Sequence, residues 1–182
     1  MKIDLQSSRP GSEKHVSEYV VGPYHSEEIR GMDSCLRKQL IVTCSASYVC
    51  IWNYADRKFV MAWRAPFGEE ANAVAFHPSG FHLLVAVGDK VLMMNVLSDK
   101  LAEYNNFVLK GCREIRFAHG GHLFACGNNN FTNVYDFFTM ECTKEMYCKG
   151  HSGKIKNIDW WLDDTGFTDC CNAGQVSYYD LQ

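Results

Sequence analysis

Nine cysteines and seven histidines are the side chains of this sequence that could ligate a metal or attack a substrate. Zinc sites draw on Cys and His at short fixed spacings such as Cys-x-x-Cys, and that motif is absent. Cys44 and Cys50, like Cys142 and Cys148, stand six apart. Cys44, Cys126, Cys170 and Cys171 fall in apolar stretches, where a free Cys packs as a small hydrophobe. His119 and His122 flank Gly120-Gly121, and His77 and His82 bracket Pro78-Ser79-Gly80; each pair lacks a third donor in phase and reads as a polar turn. A nucleophile needs a base and an orienting acid beside it, but no Gly-x-Ser-x-Gly context supports a triad. The glycines form neither a dinucleotide fingerprint nor a P-loop. The sequence therefore predicts no catalytic residue, no metal site and no cofactor.

The elements behind these residues repeat. The first unit runs Ile29 to Ser34, Leu40 to Ser45 and Val49 to Asn53; the second Ala71 to Phe76, Leu83 to Val87 and Lys90 to Asn95. The third runs Cys112 to Phe117, Leu123 to Cys126 and Thr132 to Asp136; the fourth Ile155 to Trp160, Phe167 to Cys171 and Val176 to Asp180. The closing large residues Trp52, Met94, Tyr135 and Tyr179 are spaced 42, 41 and 44. The central apolar residues Met32, Val74, Ile115 and Ile158 are spaced 42, 41 and 43. A period of ~40–45 residues with four short strands is that of a WD-type propeller blade. The fold class is all-β: about four blades, completed by another chain or left partial. A 1–14 extension precedes a propeller segment over 15–182, with repeats near 22–63, 64–107, 108–149 and 150–182.

Burial dictates the residue types. Strands alternate faces, and one packed on both sides becomes continuously apolar, as in Leu83-Leu-Val-Ala-Val87. The pairs Trp52-Asn53, Met94-Asn95, Tyr135-Asp136 and Tyr179-Asp180 are versions of the Trp-Asp dipeptide. The blade-opening Gly-His survives as Gly150-His151 and loosely as Gly22 to His25. The turn Asp usual in such blades is replaced near Ala46 and Ala173, which predicts loss of the buried hydrogen-bond set that stiffens a blade. Outer strands are expected at Lys58 to Trp63, Leu101 to Phe107 and Thr143 to Cys148, with a spare one at His15 to Val21. The fourth unit shows no outer strand of its own. A blade cannot bury both faces alone, so the two terminal faces require a closing neighbour: the chain's own other end, a second copy or another chain.

Charge narrows the partners. A net charge of −3 disfavours nucleic acid, which calls for a basic stripe. No apolar run nears the ~20 residues that span a bilayer, and residues 1–10 hold no signal-peptide core. The cysteines are expected as reduced thiols. No membrane, nucleic-acid or small-molecule partner is expected. Protein contacts are expected at Arg30, Arg113 and Lys154, which enter the first strands near one propeller face. Trp161 is either an interface anchor or an inter-blade packing residue, since Trp160 takes the core phase.

Ordered segments carry a resemblance: Tyr24-His25-Ser-Glu-Glu-Ile29-Arg30-Gly31-Met32-Asp33, Ile51-Trp52-Asn53-Tyr54, His77-Pro78-Ser79-Gly80, Gly120-Gly121-His122-Leu123-Phe124-Ala125 and Gly150-His151-Ser152-Gly153-Lys154-Ile155. Over roughly 24–160 the chain resembles the WD-repeat region of the cilia- and flagella-associated protein 57 family. The resemblance implies a non-catalytic scaffold of the ciliary or flagellar axoneme, partnered with inner dynein arms and their regulatory components on doublet microtubules. The chain is far shorter than the family pattern and lacks its coiled-coil part. The other reading of a WD module is a soluble adaptor that captures peptide or protein partners, as a ligase receptor or trafficking component.

Overall fold

The computed structural model describes residues 24–146 and 150–181. Fifteen strands form four antiparallel sheets: β1 (Gly31–Cys35), β2 (Leu40–Cys44), β3 (Tyr48–Asn53) and β4 (Lys58–Arg64) make the first, and β5 (Ala71–Phe76), β6 (His82–Val87), β7 (Lys90–Val96) and β8 (Leu101–Val108) the second. The third holds β9 (Cys112–Phe117), β10 (Leu123–Asn128), β11 (Phe131–Asp136) and β12 (Cys142–Met146); the last holds β13 (Ile155–Trp160), β14 (Gly166–Cys171) and β15 (Val176–Asp180). Within each sheet every strand pairs with the next in sequence, so each sheet is a meander, the blade of a propeller. The molecule is an all-β WD-repeat propeller of partial extent. The expected outer strands at Lys58, Leu101 and Thr143 are β4, β8 and β12; the candidate at His15 to Val21 lies outside the described residues.

The four inner turns share one geometry. Gln39, Gly80, Gly121 and Asp164 each close a turn onto the carbonyl three residues back, and each has φ between 55° and 79°. Glycine takes this left-handed conformation without a Cβ penalty, which explains Gly80 and Gly121. Asp is among the few other residues that tolerate it, and Asp164 puts its side chain to further use, described below.

Three apolar cores lie between successive sheets. The first joins Val42, Cys44 and Ile51 to Val74, Phe76, Leu83 and Met94. The next joins Ala75, Leu84, Ala86 and Met93 to Ile115, Phe124, Cys126 and Tyr135. The last joins Ala118, Ala125 and Val134 to Ile158, Trp160, Phe167 and Tyr179. Met93 and Met94 are adjacent in sequence yet serve different cores, because strand neighbours point to opposite faces. The stack thus has a direction. Each blade turns its bulkier face, with its closing aromatic or Met, toward the blade before it, and a smaller Ala- or Val-rich face toward the blade after it. Aromatics stack within the bulkier face, Phe124 on Tyr135 at 5.3 Å and Phe167 on Tyr179 at 4.8 Å.

All eight cysteines of the described residues are free, and six of them, including Cys44, Cys126 and Cys171, are buried; Cys170 is half-buried. Burial pushes the Cys44 thiol up to about 12, which keeps it a protonated packing group. Among the described residues no helix is long and apolar enough to cross a membrane.

Candidate interaction surface

The inner strands β1, β5, β9 and β13 surround an open axis. At their starting ends Arg30, Asn72, Arg113, Lys154 and Lys156 line one recess. At their finishing ends Asp33, Arg37, Pro78, Arg116, Asp159 and Trp160 line a funnel of about 570 Å³. Residues of all four blades contribute to each, so the axis is the place where the blades present polar groups jointly.

The recess is organised by one carboxamide. Arg30 donates to Asn72 Oδ1 at 3.0 Å and to Glu70 at 2.6 Å, while Arg113 donates to the same Asn72 oxygen from the other side. Asn72 Nδ2 is held by the Glu70 carbonyl at 3.1 Å. The Arg30 hydrogen bond, and then its charge, hold the Glu70 carboxyl below the usual range. Two exposed guanidinium groups are thereby held on one carboxamide, and guanidinium is the group whose donors match a carboxylate. Lys154 lies exposed beside them, its backbone N–H on Asn172 Oδ1 at 2.9 Å. Three of the four sequence candidates, Arg30, Arg113 and Lys154, therefore converge. Trp161 does not join them: it follows β13 at the opposite end, half-buried over Gly166, with its indole N–H on Thr168 Oγ1 at 3.2 Å.

A cluster that residue types alone did not single out runs from Glu114 at the recess to Arg116 and Asp33 at the funnel. Arg116 donates to Glu114 at 2.9 Å and reaches Asp33 of the first blade at 3.2 Å. Asp33 also accepts the Phe76 N–H at 2.7 Å, stitching the first blade to the second. Burial pushes the Glu114 carboxyl up to about 7 against the opposing pull of Arg116, and burial likewise raises Asp33 despite its backbone donors. For the recess, the repeat phase held a signal that adds Asn72 and Lys156 to the candidates: Arg30, Asn72, Arg113 and Lys156 are spaced 42, 41 and 43, like the apolar residues two places later.

The expected loss of buried hydrogen-bond sets is corrected by the structure. In the first blade His25 Nε2 bonds Thr43 Oγ1 at 2.8 Å, His25 Nδ1 bonds Ser45 at 2.9 Å, and the Trp52 indole N–H donates to Thr43 at 2.9 Å. In the last, His151 Nε2 meets Asp169 Oδ1 at 2.6 Å, and Asp169 Oδ2 accepts from Thr132 of the preceding blade at 2.6 Å. Thr43 and Asp169 sit on the second strands and Ser45 directly after one, so the first and last blades hold such sets with Ala46 and Ala173 in place. Burial opposes the charged imidazolium of His151, and the Asp169 hydrogen bond and charge outweigh it, so its pKa is raised. Burial lowers that of His25. Asp164 clamps blades in another way, accepting the His119 and Gly120 N–H groups at 2.8 and 2.6 Å and the His119 ring at 3.0 Å. His77 bonds Ser79 Oγ and the Gly121 carbonyl, so His77 and His119, one from each turn pair considered as ligands, serve as inter-blade links.

The other blade-marking residues have structural places. Trp52 is half-buried against Tyr24 and Phe59; Met94, Tyr135 and Tyr179 are buried between blades. Asn53 accepts the Asp56 N–H at 2.9 Å, and Asp136 accepts those of Phe138 and Thr139 at 2.8 Å, so these side chains cap outer turns. Asn95, one residue before the end of β7, and Asp180, at the end of β15, are register-paired with His82 and Gly166. Among the described residues no three His, Cys, Asp or Glu side chains gather as a metal site.

No family model matches the chain. Cilia- and flagella-associated protein 57 A of Tetrahymena thermophila is 43% identical over 158 residues, 86% of this chain and 12% of that protein. Cilia- and flagella-associated protein 57 of Mus musculus is 38% identical over 165 residues, 90% of this chain and 13% of that protein. Echinoderm microtubule-associated protein-like 4 of Xenopus laevis is 26% identical over 164 residues, 86% of this chain and 17% of that protein. The chain thus spans 12–13% of the length of the ciliary relatives it matches. With four stacked blades and this identity along most of its residues, the chain is a homologue of cilia- and flagella-associated protein 57 that carries a partial WD-repeat propeller.

Proposed function

We propose that this chain is a cilia- and flagella-associated protein that acts as a non-catalytic scaffold module of the axoneme, binding neighbouring proteins on the doublet microtubule, with dynein-arm regulatory components among them. The observation that carries the reading is identity of 38–43% along most of the chain with proteins named for cilia and flagella. The microtubule-associated name of a second set of relatives supports it. The surface suits such binding, because Arg30 and Arg113, fixed on Asn72 with Lys154 alongside, offer rigid cationic donors to an acidic protein segment. Fold alone does not assign activity. Tagging the chain in a flagellated cell and separating detergent-soluble from axonemal material tests the proposal. Recovery in the axonemal fraction is expected. Recovery in the soluble fraction alone, with ligase or coat proteins as its partners, would replace the scaffold with a soluble adaptor.

A further inference from the structure

The fourth blade repeats a polar set of the first with its chemistry changed. His25, Thr43 and Ser45 recur 126 positions later as His151, Asp169 and Cys171. In the first blade the imidazole joins two hydroxyls, and burial lowers its pKa, which favours the neutral ring. In the fourth, Asp169 is 1% exposed and holds His151 Nε2 at 2.6 Å, while the same ring hydrogen-bonds the Cys171 sulfur. A carboxylate, an imidazole and a thiol thus stand in line, the order in which an acid orients a base beside a nucleophile. Phe167, Asp169 and Cys171 alternate along β14 onto the face that packs against the third blade, where Asp169 meets Thr132 at 2.6 Å. The set therefore belongs to an internal junction of the stack.

The sulfur is also ringed by donors. The N–H groups of Gln175, Ala173 and Gly153 hydrogen-bond it. Gly153 comes this close because a Cβ there would collide with Asn172 and Ala173. Burial opposes the thiolate, but these donors, and then the His151 charge, outweigh it and hold the Cys171 thiol below the ordinary range. Burial drives Cys44 and Cys50 the other way, up to about 12 and about 11. Gln175 is exposed, and its Oε1 lies 3.7 Å from the Cys171 sulfur, held there by the Ser152 N–H and hydroxyl at 2.8 and 2.9 Å. The sulfur thus sits beside a surface side chain rather than deep in a core.

We propose that Cys171 is a modification site, a thiolate that reacts with small peroxides while His151 supplies the proton. The sulfur attacks one peroxide oxygen, so that an S–O bond forms as the O–O bond breaks. The departing hydroxide takes the imidazolium proton and leaves as water. Cys171 is oxidised by two electrons to the sulfenic acid, the peroxide is reduced, and His151 is left neutral. Asp169 orients the ring throughout and touches neither reacting atom. The first blade, with Ser45 at this place, has no counterpart of the step.

Hydrogen peroxide added to the reduced full chain with dimedone present, read by tandem mass spectrometry, tests the site. Cys171 is expected to be trapped at pH 6 at least about tenfold faster than Cys44 and Cys50. Cys171→Ser removes the adduct, and Cys170→Ser leaves it. His151→Gln, with folding checked by circular dichroism, is expected to slow trapping of Cys171 at least about tenfold at pH 6 and to leave that of exposed Cys142 unchanged. A second readout needs no variant: the pH profile of Cys171 alkylation by iodoacetamide in the wild-type chain is expected to have its midpoint below the ordinary thiol value of about 8.5. A Cys171 untouched by peroxide, a rate unmoved by His151→Gln in folded protein, or an alkylation midpoint at or above the ordinary value overturns the proposal. Each of these outcomes bears on the fourth blade alone and leaves axonemal placement to fractionation.

Discussion

Arg116 of the third blade reaches past the second to Asp33 of the first, at 3.2 Å across the axis. A strut between blades that are not neighbours fixes the curvature of the stack, and Asp33 adds a second tie through the Phe76 N–H. Replacing Asp33 by Ala leaves a buried donor without its acceptor, at a cost of about 1–3 kcal/mol. Arg116→Ala costs less, since both partners are partly solvated. A double-mutant cycle by urea unfolding is expected to give a coupling of about 0.5–1 kcal/mol; strict additivity would show that the strut does not hold.

Glu114 makes stability depend on pH. Its folded pKa of about 7 lies above the ordinary 4.5 because burial penalises the carboxylate. The folded chain therefore keeps a proton that the unfolded chain releases, so this group's contribution falls as pH rises through that window and is lowest above about 7. The effect is worth up to about 3 kcal/mol. Glu114→Gln is expected to melt above wild type at pH 8 and to lose that advantage by pH 5. A constant difference across the range would contradict the assignment.

The dyad of His151 and Asp169 is almost fully buried, so removing one partner strands the other. Asp169→Ala is expected to cost about 3–5 kcal/mol, and it also frees Thr132 of the preceding blade. The raised pKa of His151 adds stability that is complete below the ordinary imidazole value of 6.5 and is lost as pH rises through the folded value. A His151→Gln series from pH 5 to 8 is expected to converge on wild type at the alkaline end as far as this charge is concerned.

Arg30 and Arg113 are predicted to serve binding rather than folding. The pair Arg30→Gln and Arg113→Gln keeps a donor near Asn72, so thermal stability is expected to move by less than about 1 kcal/mol. Retention in the axonemal fraction during salt extraction is expected to fall. Unchanged retention would remove the recess from the binding surface.

The blades were legible because burial imposes a period: Val74, Ile115 and Ile158 must all be apolar if each lies between sheets. Arg30, Arg113 and Lys154 were legible as cations placed just before strands. What escaped was side-chain reach. Nothing in the types of Arg116 and Asp33 shows that they meet across an axis, and Thr43 and Asp169 moved the blade hydrogen bonds from a turn to a strand, where a turn motif does not look. Trp161 was undecided because adjacent aromatics in a strand differ only in face; in the structure it lies half-buried over Gly166 of its own blade.

Amine cross-linking of intact axonemes, followed by mass spectrometry of the tagged chain, tests the scaffold most directly. Lys154 and Lys156 at the recess are exposed and reactive sites for it. A scaffold predicts links from these two lysines to proteins of the doublet microtubule and its dynein-arm machinery. Links confined to soluble ligase or coat proteins, with none to the axoneme, would contradict it.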